Sequence, residues 1–390
     1  MKKILFVIND NLSSNARSLY EIHSLSKAGN KVTILCDEYN PKIKFLKKKN
    51  IKIISRGLKN SFIKKLLWFI FLVDFEWLKF LKKKNKNLNF DVIHLQNNYL
   101  FKTIYKFIKY IKGKQKIVLD IHDSLPESFI SWNKNKNFFN RIFYLIFANL
   151  TRLRKYESWS IRKSTATIVT TKESKQKILS FYSKAFNKKT HIVENLESLT
   201  FQKKFKKNLK NTSCLRVIYF GSFAPHRGLE TIIECSNLLL KEKKIEFYLI
   251  GALNNEYSKK ILSNKSKNLK VIKRINLKKL KNFTNNKSVG IVPHINNMHT
   301  NTTIPYKLSQ YMCLGIPQIV SDCKPLVRTI KKSKSGLIYK SGNPYHLKKK
   351  IIEIQKLNFN KLKLNSLKYF KNNNWELKEH KNIINIYDKI

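Results

Sequence analysis

The sequence predicts an α/β protein made of two Rossmann-like halves, each a doubly wound parallel sheet. Three observations predict it. Short, wholly apolar runs alternate with amphipathic stretches along the chain, as buried parallel strands and their covering helices do. The alternation stops at Lys203-Lys204-Phe205-Lys206-Lys207-Asn208-Leu209-Lys210-Asn211, which has no buried pattern, and then begins again. Finally, 390 residues exceed one ordinary core, so two domains of roughly 190 residues are the expectation.

In the first half, strands are expected at 4–8, 31–36, 51–55, 92–95, 116–121 and 167–170. A helix over 16–28 ends at the Gly29-Asn30 turn. Segments 61–84 and 134–163 read as helices, basic on one face and rich in Trp, Phe, Leu and Ile on the other. In the second half, strands fall at 215–220, 246–250, 269–273 and 289–293, with a helix over 228–241 and a further helix and strand inside 303–322. A last helix near 375–387 is expected to fold back toward the first half. The domain plan is therefore 1–200, a linker at 201–213, 214–370, and a returning segment 371–390. Two such halves place the expected binding site in a cleft.

Hydrophobic residues make up 42% of the chain and aromatics 12%, enough for globular folding despite a formal net charge of +55. The ten arginines leave 79 − 10 = 69 lysines. Bidentate reading of phosphates or bases favours Arg. Compositional drift toward Lys, Asn, Ile and Phe leads as the source of this charge, an anionic membrane surface comes second, and nucleic acid, which no recognition module supports, comes last. Five scattered cysteines fit a reducing cytoplasm and neither a disulfide framework nor a zinc site. The apolar start at 4–8 is too short for a signal peptide, and the longest apolar run, 66–73, is too short to span a bilayer. The expected location is cytoplasmic, peripheral on the inner face of the plasma membrane.

Thr303-Ile304-Pro305-Tyr306-Lys307-Leu308-Ser309-Gln310-Tyr311-Met312-Cys313-Leu314-Gly315-Ile316-Pro317-Gln318-Ile319-Val320-Ser321 reads as a polar loop, a short helix, a turn and a strand. Thr303 is the expected N-cap, with Pro305 in the first turn. The N–H groups of that turn, with Lys307 beside them, make a phosphate site. Gly221-Ser222-Phe223-Ala224-Pro225-His226-Arg227-Gly228 follows a strand and opens a helix, and Arg227 could fork onto a phosphate there. An ordinary strand–turn–helix connection is the bland alternative. In the first half, Asp120-Ile121-His122-Asp123-Ser124-Leu125-Pro126-Glu127 ends a strand, where an imidazole can point at a ligand or serve structure alone. Asp123 and Glu127 are equally turn and cap residues.

These motifs resemble the retaining glycosyltransferases of family 4. The 303–321 element matches that family's P-x-K-L-x-E-Y-M-x-x-G-x-P-x-(I/V)-x-S pattern, Arg227-Gly228 matches its R-G pair, and Asp120 to Glu127 matches its D-x-H-D-x-x-P-E run. The resemblance implies a GT-B architecture with a central cleft, a nucleotide-sugar donor, retention of configuration and no metal or other cofactor. His122, Arg227 and Lys307 would be catalytic. Gly221, Ser222, Gly251, Arg274, Thr302, Thr303, Ile304 and Gln310 would line the donor site. Asp123 would also bind substrate, and Arg17 would reach the acceptor or the diphosphate, unless it is a solvated first-turn residue.

Ser222 stands where one form of the family's turn has Arg. Thr302 and Gln310 stand where the family has its two glutamates, so a carboxylate restored at 310 is expected to leave folding intact. The expected partners are a nucleotide sugar, a glycan or lipid-linked acceptor and an anionic membrane surface, with no nucleic acid. A non-catalytic GT-B partner protein and a sugar-nucleotide 2-epimerase are the alternatives; the missing carboxylates speak against the second.

Overall fold

Strand β1 (Lys3–Asn11) is buried along Ile4–Ile8, and each apolar residue there faces one side of a sheet covered on both. A computed structural model of the chain describes residues 1–57, 62–85, 88–133, 149–203, 212–252, 256–275 and 277–390. The chain divides into two compact units, Met1–Glu194 with Glu379–Ile390, and Asn195–Lys378. The division falls at 194/195, ahead of the expected linker, whose residues 204–211 lie outside the described ones. So do residues 134–148 of the expected 134–163 helix; the rest forms the helix Leu150–Lys163.

The first unit holds β1, β2 (Lys31–Glu38), β3 (Ile51–Ser55), β4 (Val92–Gln96), β5 (Lys116–Ile121), β6 (Ala166–Val169) and β7 (Thr190–Ile192). They pair in the order β3-β2-β1-β4-β5-β6-β7, all parallel. Leu5, Val7, Ile93, Leu95 and Leu119 enter one core with Trp77, Phe101 and Phe107 from the covering helices. Asn15 caps the helix Ala16–Lys27 by accepting the Ser18 N–H at 3.1 Å. The helix His380–Asp388 belongs to this unit and packs on Ala16–Lys27, with Tyr387 Oη 2.8 Å from His94 Nδ1.

The second unit holds β8 (Leu215–Phe220), β9 (Ile245–Ala252), β10 (Leu269–Lys273), β11 (Ser288–Val292), β12 (Gln318–Ser321) and β13 (Gly336–Tyr339), in the order β10-β9-β8-β11-β12-β13. Alternation along β8 separates two cores. Val217 and Tyr219 join Ile232, Leu249 and Leu347, while Ile218 and Phe220 join Leu308, Met312 and Phe370 on the opposite face. Strands β7 and β13, three and four residues long, escape the sequence pattern because they are mostly half-buried and carry no continuous buried run, unlike the equally short β6 and β12. Strand order reverses between β1 and β4 in one sheet and between β8 and β11 in the other, and in open α/β sheets ligands bind at the carboxyl ends of such strands.

Candidate functional site

At the carboxyl end of β8, Gly221 adopts φ 138°, and a Cβ there would lie 2.8 Å from Lys307 Nζ. The glycine is what lets the lysine approach the turn. Gly251, near the end of β9, adopts φ 119°, and its Cβ would lie 2.2 Å from the Gly221 carbonyl oxygen. Two adjacent strand ends are thus packed backbone against backbone.

Lys307 stands in the first turn of the helix Tyr306–Cys313 and is 6% exposed. Its Nζ lies 3.7 Å from the centroid of the Tyr219 ring and has no hydrogen-bond partner among the described residues. Burial, and then the neighbouring Arg227, hold its ammonium well below the usual lysine range. Arg227 ends the short turn Pro225–Arg227, donates Nη1–H to His294 Nε2 at 2.8 Å, and keeps a buried Nε without a partner. Neither cation forms an ion pair among the described residues. Two positive groups beside a glycine turn, with no acid among the described residues to balance them, create a local potential that attracts anions.

The helix bearing Lys307 starts differently from the sequence expectation. Pro305, not Thr303, is the N-cap, and no side chain caps this end. Pro305 has φ −76° and ψ 140°, an extended conformation just outside the helix. Tyr311 anchors the helix from behind, its ring against Gly290 and its hydroxyl donating to the Ile218 carbonyl at 2.8 Å.

Thr302 and Gln310 do not present their side chains to a ligand. The Thr302 hydroxyl donates to the His299 carbonyl at 2.9 Å, and Gln310 Nε2 donates to Glu197 Oε2 at 2.9 Å. The Ile304 carbonyl accepts from Asn195 Nδ2 at 2.9 Å. Thr303 is half-buried, and Ser222 is exposed at the glycine turn with its carbonyl accepting from Tyr219 Oη. Arg274 is exposed beyond β10, an edge strand separated from β8 by β9. The site therefore gathers Gly221, Gly251, Arg227 and Lys307, and leaves the Gln310 and Thr302 side chains to internal bonds.

In the first unit, His122 follows β5 directly, with Nε2 2.6 Å from Asp120 Oδ2 and Nδ1 3.4 Å from Gln96 Nε2. Asp120 also receives Arg17 Nε and Nη2, at 3.1 and 3.0 Å, while Arg17 Nη1 donates to the Val193 carbonyl. Arg17 is 2% exposed, so it is neither a solvated helix residue nor a group open to a diphosphate. Burial alone would raise the Asp120 carboxyl, but Arg17 and His122 hold it well below the carboxylate range. Burial and the adjacent Asp120 push the Glu21 carboxyl well up. Glu21, Asp120 and His122 bring possible metal-ligand atoms within 4.8 Å of one another. The Arg17 guanidinium lies 3.1 Å from Glu21 Oε1 and 3.0 Å from Asp120 Oδ1, so a cation placed among these ligand atoms would be repelled by it. Asp123 is exposed on the following turn, and Glu127 is buried against Lys177 and Arg154.

His294, Tyr219 and Glu197 are the residues the sequence reading missed. His294 had a signal, since it follows a buried strand just as His122 does. Glu197 had none, being 113 residues from its partner Gln310.

Residues 17–196 match the family described as glycosyltransferase family 4, and residues 200–375 match glycosyl transferases group 1. The sucrose-phosphate synthase of Thermosynechococcus elongatus aligns with a TM-score of 0.76 at 14% identity, covering 100% of this chain and 99% of that one. A trehalose-6-phosphate structure from E. coli bound with UDP-2-fluoro glucose aligns with a TM-score of 0.71 at 14% identity, covering 100% and 99%. Anabaena HepE in complex with UDP and glucose aligns with a TM-score of 0.66 at 12% identity, covering 100% and 98%. At such identities the likeness shows the fold. No curated protein matches the chain at a significant level.

Proposed function

The chain belongs to the glycosyltransferases of group 1 and family 4 and has their GT-B fold, and from that premise we propose that it moves a sugar from a nucleoside-diphosphate sugar to a surface-glycan or lipid-linked acceptor with retention of configuration. One observation carries the donor assignment. Lys307 and Arg227, buried or half-buried and without an acid, stand beside a glycine turn at the strand ends where the sheet order reverses. A diphosphate supplies the missing negative charge.

The two cations offset charge on the departing nucleotide, the largest electrostatic demand of the step. On this reading they do what a bound metal would otherwise do, and the transfer needs no cofactor. Gly221 lets the Lys307 ammonium reach the turn, and Gly251 lets the ends of β8 and β9 pack closely beneath it. His122 is the first unit's candidate to contact the transferred sugar. The attacking acceptor hydroxyl gives its proton to the leaving phosphate.

Attachment to an anionic membrane fits the helices Phe62–Phe71 and Phe75–Lys84, which expose Ile63, Phe71 and Phe75 together with Lys65, Lys82 and Lys83. Lys64 does not serve there, because its Nζ is 3.3 Å from Asp74 Oδ2. Among the described residues no helix is long and apolar enough to cross a membrane.

The test is a panel of UDP-, GDP- and ADP-sugars, with and without lipid extract and with a chelator present. Sugar transfer should occur with one donor class and survive the chelator, and NMR should show the product anomer matching the donor. Failure to bind any nucleotide sugar or nucleoside diphosphate would favour a non-catalytic role. An inverted product or chelator-sensitive transfer would overturn retention or metal independence respectively.

A further inference from the structure

We propose that His294 is a positioning residue for Arg227, holding the guanidinium toward the diphosphate through the hydrogen bond that Nε2 accepts from Nη1 at 2.8 Å; this rests on the donor-site reading above. Arg has only donors, so the contact requires a lone pair on Nε2 and an imidazole that is not protonated there. The surroundings enforce that state. His294 is 2% exposed, its Nδ1 has no partner among the described residues, and the groups facing it are all neutral or positive.

His226 and Arg227 face it from the turn after β8, Lys307 from the helix Tyr306–Cys313, and His299 from its own loop. The Cys323 thiol reaches the His294 carbonyl from the turn after β12. Asp322 of that turn directs its carboxylate to Asn296 Nδ2 and the Ser341 N–H instead. Burial, then Arg227 and Lys307, hold the imidazole well below the usual histidine range. Without this acceptor, the guanidinium would be repelled by Lys307 and would have no fixed direction. A site that must meet two phosphate oxygens with a rigid fork needs that direction set in advance.

A double-mutant cycle tests the proposal, with pyrophosphate and UDP as probes and affinity read by calorimetry. His294→Leu should weaken both probes about tenfold, as loss of a hydrogen bond to a charged group predicts. His294→Gln, whose amide oxygen can still accept from Arg227, should recover most of that loss. In an Arg227→Ala background, His294→Leu should change affinity by less than about twofold, because its effect acts through the missing guanidinium. Thermal melts of each variant separate unfolding from lost binding.

Equal losses from His294→Leu in both backgrounds, or no recovery with Gln, would overturn the positioning role alone. Wild-type affinity in the Arg227→Ala single variant would instead overturn the phosphate site on which the proposal rests.

Discussion

Replacing Gln310 by Glu puts two carboxylates where an amide now donates to one. Gln310 Nε2 is 2.9 Å from Glu197 Oε2, and the residues are 6% and 1% exposed. Two unit charges 2.9 Å apart repel by about 6 kcal/mol at an effective dielectric constant of roughly 20. Protonating one of them is cheaper. From an ordinary glutamate pKa of about 4.3, it costs about 4 kcal/mol at pH 7 and about 1 kcal/mol at pH 5. The variant should therefore lose up to about 4 kcal/mol at neutral pH, with most of that loss gone near pH 5.

The folded variant holds a proton that the unfolded chain releases above about pH 4.3, so the loss grows as the pH rises from there. Thermal melts at both pH values measure it, and the neutral-pH loss corresponds to a drop on the order of 10 °C. Adding Glu197→Gln restores one amide and one carboxylate in swapped places and should recover more than half of the loss. An unchanged melt at pH 7, or a deficit equal at both pH values, would refute the buried pairing. The sequence alone led to the opposite expectation, that a carboxylate at 310 is harmless.

Lys307→Met should bind UDP at least about tenfold more weakly yet melt no lower than the parent, since a buried cation with neither a hydrogen-bond nor an ion-pair partner among the described residues destabilises the fold; a lower melt would show that the ammonium is structural. Gly251→Ala should destabilise by about 2 kcal/mol or more and weaken UDP binding, because its methyl meets the Gly221 carbonyl at a positive φ; a neutral outcome in denaturant titration would contradict that packing. Acidification below about pH 6.5 should weaken the fold by up to about 1.4 kcal/mol per unit through His294, because the unfolded imidazole takes a proton that the buried one refuses. In His294→Gln the slope of stability against pH should flatten, and an unchanged slope would show that His294 titrates normally. Vesicle binding should require anionic lipid and disappear at high salt, and neutralising Lys65, Lys82 and Lys83 together should weaken it; binding that persists at high salt would contradict the electrostatic account.

The sequence by itself determined the architecture of each half. Apolar runs such as Leu215 to Phe220 can be buried on both faces only in a parallel sheet, and the restart of the pattern after 211 required a second one. It also placed a glycine turn after that run and Lys307 in the first turn of a helix, because turn and helix-start signals are local.

Tertiary structure decided which polar groups remain available. Arg17 looks accessible in the sequence, but β5 brings Asp120 against it and the pair is buried. Gln310 occupies a position that the resemblance assigns to ribose, yet Glu197, distant in the chain, accepts its amide. His294 becomes significant only because two loops after adjacent strands put its Nε2 within reach of Arg227. Local propensity follows from neighbours in the chain. Whether a charge is paired depends on residues a hundred positions away, and only the fold brings them together.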